Sequence, residues 1–182
     1  DIQLIQQIAS TLKPNKFLLN LIHKFNLTTY FHEPNEITTA TSKFVSHTVE
    51  DFFRLLLCIL SERHIPGVGE AVTSESILRN EVVHKLCREA QTYSELSESL
   101  RGTVLAEKKL DSLLHDIVDE VADRTVVGPK TKFQIKTEYL EMFNPFFYHY
   151  KQSEKNKSEQ YVLKLLKQAK KEEVLKPPEP LA

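Results

Sequence analysis

Apolar residues recur at helical spacing through most of the chain, and the register breaks at a few clear points. Ile2, Ile5, Ile8, Ala9 and Leu12 form a narrow stripe that predicts a helix over 2–12, interrupted by Pro14. Phe17, Leu18, Leu21, Ile22 and Phe25 predict a second, and little periodicity follows from Thr28 to Ser46, where Pro34-Asn35 marks a turn. Thr48 followed by Asp51 has capping-box spacing and predicts a helix start before Phe52, Phe53 and Leu55 to Leu60. A helix apolar around most of its circumference is expected to be covered on several sides. Glu62-Arg63-His64 and then Pro66-Gly67-Val68-Gly69 should end it.

Beyond that stop lies a self-contained pattern from Thr73 to Glu141. Ile77, Val82, Val83, Leu86 and Cys87 repeat with helical period, and Thr92 and Glu95 form a Thr-x-x-Glu capping box before Leu96 and Leu100. Arg101-Gly102-Thr103 closes that short helix. A third helix, read between Ala106 and Asp123, carries Leu110, Leu113, Leu114, Ile117, Val118 and Val121 on its buried side. Two β-prone runs, Thr125-Val126-Val127 and Phe133 to Lys136, flank the turn residues Gly128 to Thr131. Three helices and a hairpin give the winged helix-turn-helix order.

Aromatic residues then crowd Tyr139, Met142, Phe143, Phe146, Phe147, Tyr148 and Tyr150, a cluster expected to pin the tail to the domain. From Ser153 to Lys171 the chain is rich in Lys, Glu, Gln and Leu, with a sparse stripe of Tyr161, Val162, Leu165, Leu166 and Ala169, which predicts a solvated helix. Lys176 to Pro180 reads as an extended linker. The fold class is therefore mostly α with a small β-hairpin: a winged helix-turn-helix domain plus a helical annex and a long C-terminal helix. The expected divisions are an annex over 1–63, the winged helix over 64–141, and an anchor, charged helix and linker over 142–182.

Composition narrows the function. With Lys+Arg 24 against Asp+Glu 25 the formal net charge is -1, so no global field favours nucleic acid or an anionic membrane. Cys58 and Cys87 are the two cysteines, both in apolar helical patterns, as expected of reduced core thiols rather than a disulfide framework. No apolar run approaches the roughly 20 residues that span a bilayer. The start, Asp1-Ile2-Gln3, suggests a fragment of something larger.

Chemistry-bearing motifs are sparse. His23, His32, His47, His64, His84, His115 and His149 form no His-Glu-x-x-His pair. His84 and Cys87 share a helix face at i, i+3, but further zinc ligands are missing nearby, so the core reading outweighs a metal site. Gly67-Val68-Gly69 lacks the third glycine and the preceding strand of a dinucleotide fingerprint. Ser94, Ser97 and Ser99 sit in a helix-cap context rather than a nucleophile elbow. DNA binding through the third helix is disfavoured by its sign: Glu107, Asp111, Asp116, Asp119, Glu120 and Asp123 oppose Lys108 and Lys109. The acidic positions Asp116, Asp119 and Asp123 form a candidate protein-docking surface, with plain solvated surface as the equal alternative. The wing, with Arg124, Lys130, Lys132 and Lys136, is mildly basic.

Three stretches together resemble the middle region of the UBR-box N-recognin ubiquitin ligases: Phe52-Phe53-Arg54-Leu55 through Glu62 to Gly69, Glu81-Val82-Val83-His84-Lys85-Leu86, and Tyr93-Ser94-Glu95-Leu96. Phe143-Asn144-Pro145-Phe146-Phe147-Tyr148-His149-Tyr150, running into Ser153-Glu154-Lys155, extends the match to roughly 51–167. The resemblance implies a winged-helix scaffold between degron-reading domains and a C-terminal RING. It implies a parent chain that is a RING-type E3 ubiquitin transferase of the N-degron pathway, cytoplasmic or nuclear, with zinc in its UBR box and RING. Two cysteines cannot build either zinc module, so no catalytic residue, cofactor or metal site is expected in this segment. The partners implied are other domains of the same ligase, a ubiquitin-conjugating enzyme, an adaptor or a substrate protein, with no nucleic acid and no membrane. A stand-alone interaction winged helix of a large assembly is the alternative, and a nucleic-acid binder using the wing a weaker one.

Overall fold

The computed structural model describes residues 2–32, 39–62, 72–101 and 109–169. They fall into two compact units, one from the described residues up to Glu62 and the other from Val72 onward. Arg63 to Ala71, which include the glycine-rich stop, and the linker from Lys176 lie outside the described residues, as do Gly102 to Lys108, where the third helix was expected to begin.

The first unit contains α1 (Ile2–Thr11), α2 (Pro14–Lys24), the short α3 (Thr28–His32) and α4 (Thr39–Ser61). Pro14 opens α2, where its missing N–H costs nothing. Asn26 ends α2 in the left-handed region at φ 54, and the Leu27 N–H reaches the Ile22 carbonyl while the Asn26 N–H reaches that of His23. This is the Schellman arrangement, completed by the burial of Leu27.

The pattern mis-set two features of this unit. No glycine or proline interrupts Thr39 to Ser61, so α4 begins well before Thr48 and runs for 23 residues. Thr48 lies inside it, its hydroxyl donating to the Phe44 carbonyl 3.0 Å away rather than capping a start. Nor is α4 covered on several sides. Phe52, Cys58 and Ile59 are buried, with Phe52 edge-on to Phe25 of α2, whereas Phe53, Leu57 and Leu60 are 54%, 36% and 41% exposed. A further surprise is Gln6, the buried residue of α1. Its Nε2 donates to the carbonyls of Ile59 and Glu62 at 2.8 Å each, satisfying acceptors that the end of α4 leaves open.

The second unit is the winged helix: α5 (Ser74–Leu86), α6 (Tyr93–Arg101), α7 (Lys109–Val121), then antiparallel β1 (Ala122–Val127) and β2 (Lys130–Ile135). Thr73 caps α5 in a reciprocal box with Ser76, and Thr92 and Glu95 do the same for α6, the Thr92 N–H reaching Glu95 at 2.8 Å. Val127 pairs with Lys130, leaving Gly128-Pro129 as a two-residue turn. Gly128 takes φ +62, which the turn requires before a proline whose φ is fixed negative. A bridge from Gln91 to Phe133 adds a third short edge next to β2.

A 3₁₀ turn (Thr137–Met142), a turn-rich aromatic segment and α8 (Gln152–Gln168) follow, and all three enter the same core as the winged helix. Leu78, Val82, Leu86, Leu96, Leu114 and Val118 form its centre, joined by Phe143, Phe147, Tyr150 and Val162. The charged appearance of α8 hides one dry face: Ser158, Val162, Leu165 and Leu166 are buried while Lys157, Lys164 and Lys167 stay exposed. Arg88 meets Glu154 at 2.8 Å and Lys157 meets Glu89 at 2.7 Å, fixing the helix by its polar flank.

Candidate protein-interaction site

The candidate acids occupy two kinds of element. Asp116 and Asp119 lie three residues apart on α7, spacing that puts them on one side of the helix. Asp123 does not belong to that helix. It is the second residue of β1, opposite Gln134, because α7 passes into the wing directly at Ala122. Both Asp119 oxygens accept from the Arg124 guanidinium, at 2.8 and 2.7 Å, and this pairing holds the Asp119 carboxyl below its ordinary range. Glu120 accepts from Arg79 and from the Tyr139 hydroxyl, at 2.9 Å each, and the Arg79 bond lowers its carboxyl as well. Of these helix acids, Asp119 and Glu120 thus already have cationic partners within the unit, while Asp116 is exposed.

Arg124 and Lys136 of the wing are committed in the same way. Arg124 is held by Asp119 and lies 5.9 Å from the centre of the Phe133 ring. The Lys136 ammonium donates to the carbonyls of Asp119 and Glu120 at the end of α7, where a cation favours the helix dipole. Lys130 and Lys132 act on Glu95, whose carboxyl is lowered first by the Thr92 backbone N–H. A phosphate backbone approaching Arg124 or Lys136 meets a cation with an internal partner, beside the acidic flank of α7.

His84, Cys87 and Ser99 have structural roles. His84 is 1% exposed and uses both ring nitrogens: Nδ1 lies 2.8 Å from the Asn80 carbonyl and Nε2 accepts the Asn144 N–H at 3.0 Å. Accepting at Nε2 puts the proton on Nδ1, so the ring is neutral. It stacks on Phe147 with centroids 4.1 Å apart, and the Tyr150 hydroxyl donates to its carbonyl. With its nitrogens so occupied, His84 has no lone pair for a metal shared with Cys87, and among the described residues no group of His, Cys, Asp and Glu could hold one. Burial pushes the Cys87 thiol up, far from nucleophilic range. Ser99 donates to the Leu96 carbonyl as an ordinary helix serine.

Sequence reasoning missed a second buried pair: Glu81, 1% exposed, places Oε1 2.6 Å from Nδ1 of the half-buried His149. Both pairs join α5 to the aromatic segment. Isolated polar residues in an apolar helical pattern, Glu81 and His84, were the available signal, but their partners His149 and Asn144 lie 68 and 60 residues away.

No described helix is long and apolar enough to cross a membrane. Residues 77–177 match the model of the winged-helix domain of UBR1-like E3 ubiquitin-protein ligases. The chain is 32% identical over 162 residues to the E3 ubiquitin-protein ligase UBR1 of Mus musculus, covering 87% of this chain and 9% of that protein. It is 28% identical over 186 residues to UBR2 of Homo sapiens, covering 98% and 10%. With PRT6 of Arabidopsis thaliana it shares 29% over 117 residues, covering 64% and 6%. It thus spans about a tenth of the length of the first two relatives. The helix order, the hairpin and these matches agree, and the chain belongs to the family of UBR1-like E3 ubiquitin-protein ligases, its second unit carrying their winged-helix domain.

Proposed function

We propose that this chain is a non-catalytic scaffold within a RING-type E3 ubiquitin ligase of the N-degron pathway, holding degron-reading and RING modules at a fixed distance and angle. The observation that carries the reading is the apolar stripe of α4. Phe53, Leu57 and Leu60, at i, i+4 and i+7, share one side of the helix and are all more than a third exposed. Large side chains in such a row are normally covered, and a row left open marks a contact surface. In a piece that spans about a tenth of its relatives, the rest of the same polypeptide supplies the natural cover. The zinc of a UBR box and a RING would belong to those other modules.

The test is Leu57→Glu with Leu60→Glu in the full-length ligase. Both positions are exposed, so the local fold should survive, while transfer of ubiquitin to a substrate with an N-terminal Arg falls and RING-dependent self-modification persists. Undiminished transfer to that substrate would reduce the stripe to surface and remove the support for scaffolding. The acidic face of α7 is a second place at which a conjugating enzyme, an adaptor or a substrate could dock, with Asp116 its most available carboxylate.

A further inference from the structure

Residues 2–32 contain no Asp or Glu, although the whole chain has Asp+Glu 25. They do contain Lys13, Lys16 and Lys24, all exposed. Two of them, Lys13 and Lys16, flank apolar surface at the start of α2. Leu19 is 64% exposed, and it lines a shallow groove of about 630 Å³ together with Lys13, Pro14, Asn15, Lys16 and Asn20. The floor is apolar, made of Leu19, the Pro14 ring and the lysine stems, which can lie along such a surface while the ammonium groups stay in water. Lys16, Leu19, Asn20 and His23 follow i, i+3, i+4, i+7 and so form one face of α2.

We propose that this face of α2 docks an acidic amphipathic protein segment, with one bulky apolar side chain on Leu19 and carboxylates against Lys13 and Lys16. Charge decides the class of partner. A groove whose lining holds two lysines and no carboxylate repels basic segments and attracts acidic ones, and the two asparagines leave amide groups for main-chain contacts. The groove is lined by no residue of the α4 stripe, and the inference stands whether or not that stripe packs within a larger ligase.

The test is a display selection of random helical peptides on the whole 182-residue chain, counter-selected on the same chain carrying Lys16→Glu and Leu19→Glu. The expected winners hold a Leu- or Phe-like anchor with Asp or Glu one turn away. A synthetic winner should bind the double variant at least about tenfold more weakly, and its affinity for the wild type should drop several-fold between low and high salt. Circular dichroism of Leu19→Ser, a milder variant, checks that the helix is intact while binding is lost. Selection of no acidic sequence overturns the proposal, as does binding that the variants leave unchanged. Binding to vesicles of phosphatidylcholine with phosphatidylserine, without binding to any selected peptide, would also overturn it and assign the face to a membrane surface.

Discussion

Asn144 delivers its backbone N–H to Nε2 of His84, 3.0 Å away and 60 residues earlier in the chain. That bond makes the aromatic segment part of the winged-helix core. Pro145 follows, and the Asn144 Oδ1 accepts the Phe146 N–H at 2.8 Å, so the turn is set locally before His84 receives it.

His84→Ala should therefore be costly in two ways. It removes the ring stacked on Phe147 and leaves the Asn144 N–H buried without an acceptor, a combination of about 3 kcal/mol or more. His84→Phe keeps the stacking area but not the acceptor and should recover only part of the loss. Denaturant midpoints by circular dichroism measure both; equal stability of His84→Phe and wild type would show that the hydrogen bond contributes nothing.

The box at Thr92 and Glu95 is a local device with a definite pH signature. Thr92→Ala should destabilise by about 1 kcal/mol. The Thr92 N–H holds the Glu95 carboxyl below its ordinary range, so the folded state binds its proton less readily than the unfolded chain. Its stabilisation is then present above the unfolded value of about 4.3 and lost as pH falls through the lower folded value. The difference between wild type and Glu95→Gln in thermal melts should be largest near neutrality and vanish in acid. A difference that grew on acidification would contradict this sign.

Charge reversal separates the three acids. Asp116→Lys and Asp123→Lys alter exposed positions and should each shift stability by less than about 0.5 kcal/mol. Asp119→Lys confronts Arg124 with a like charge and should cost more than either, with the excess shrinking in high salt. Equal effects at all three positions would mean that the Asp119–Arg124 pair is not populated in solution.

Cys87 is fully buried and its thiol is pushed up by that burial. Iodoacetamide labelling of Cys87 should therefore proceed only at the rate of unfolding, becoming fast in denaturant. Rapid native-state labelling followed by mass mapping to Cys87 would refute the packing of α5 described above.

Periodicity made the helices of the second unit legible because their core positions, such as Leu96 with Leu100 and Leu114 with Val118, are fixed by the 3.6-residue turn alone. Capping at Thr92 was legible for the same local reason, and so was the hairpin, because Gly128-Pro129 can do little but turn. Thr48 misled because an apparent capping box and an interior threonine differ only in whether the preceding residues are helical, and nothing before Thr48 breaks the helix. Which side of α4 would be covered was also out of reach, since its apolar residues surround it and only the packing of α1 and α2 decides the dry side. The roles of Gln6, Glu81 and His84 depended on partners 53, 68 and 60 residues distant. Local sequence thus determined the helices and hairpin of the second unit and their capped starts, because propensity, capping and periodicity act within a few turns. Tertiary structure alone decided which polar groups are buried, which acids are neutralised and which apolar faces stay open, because each of those depends on atoms the chain brings together only by folding.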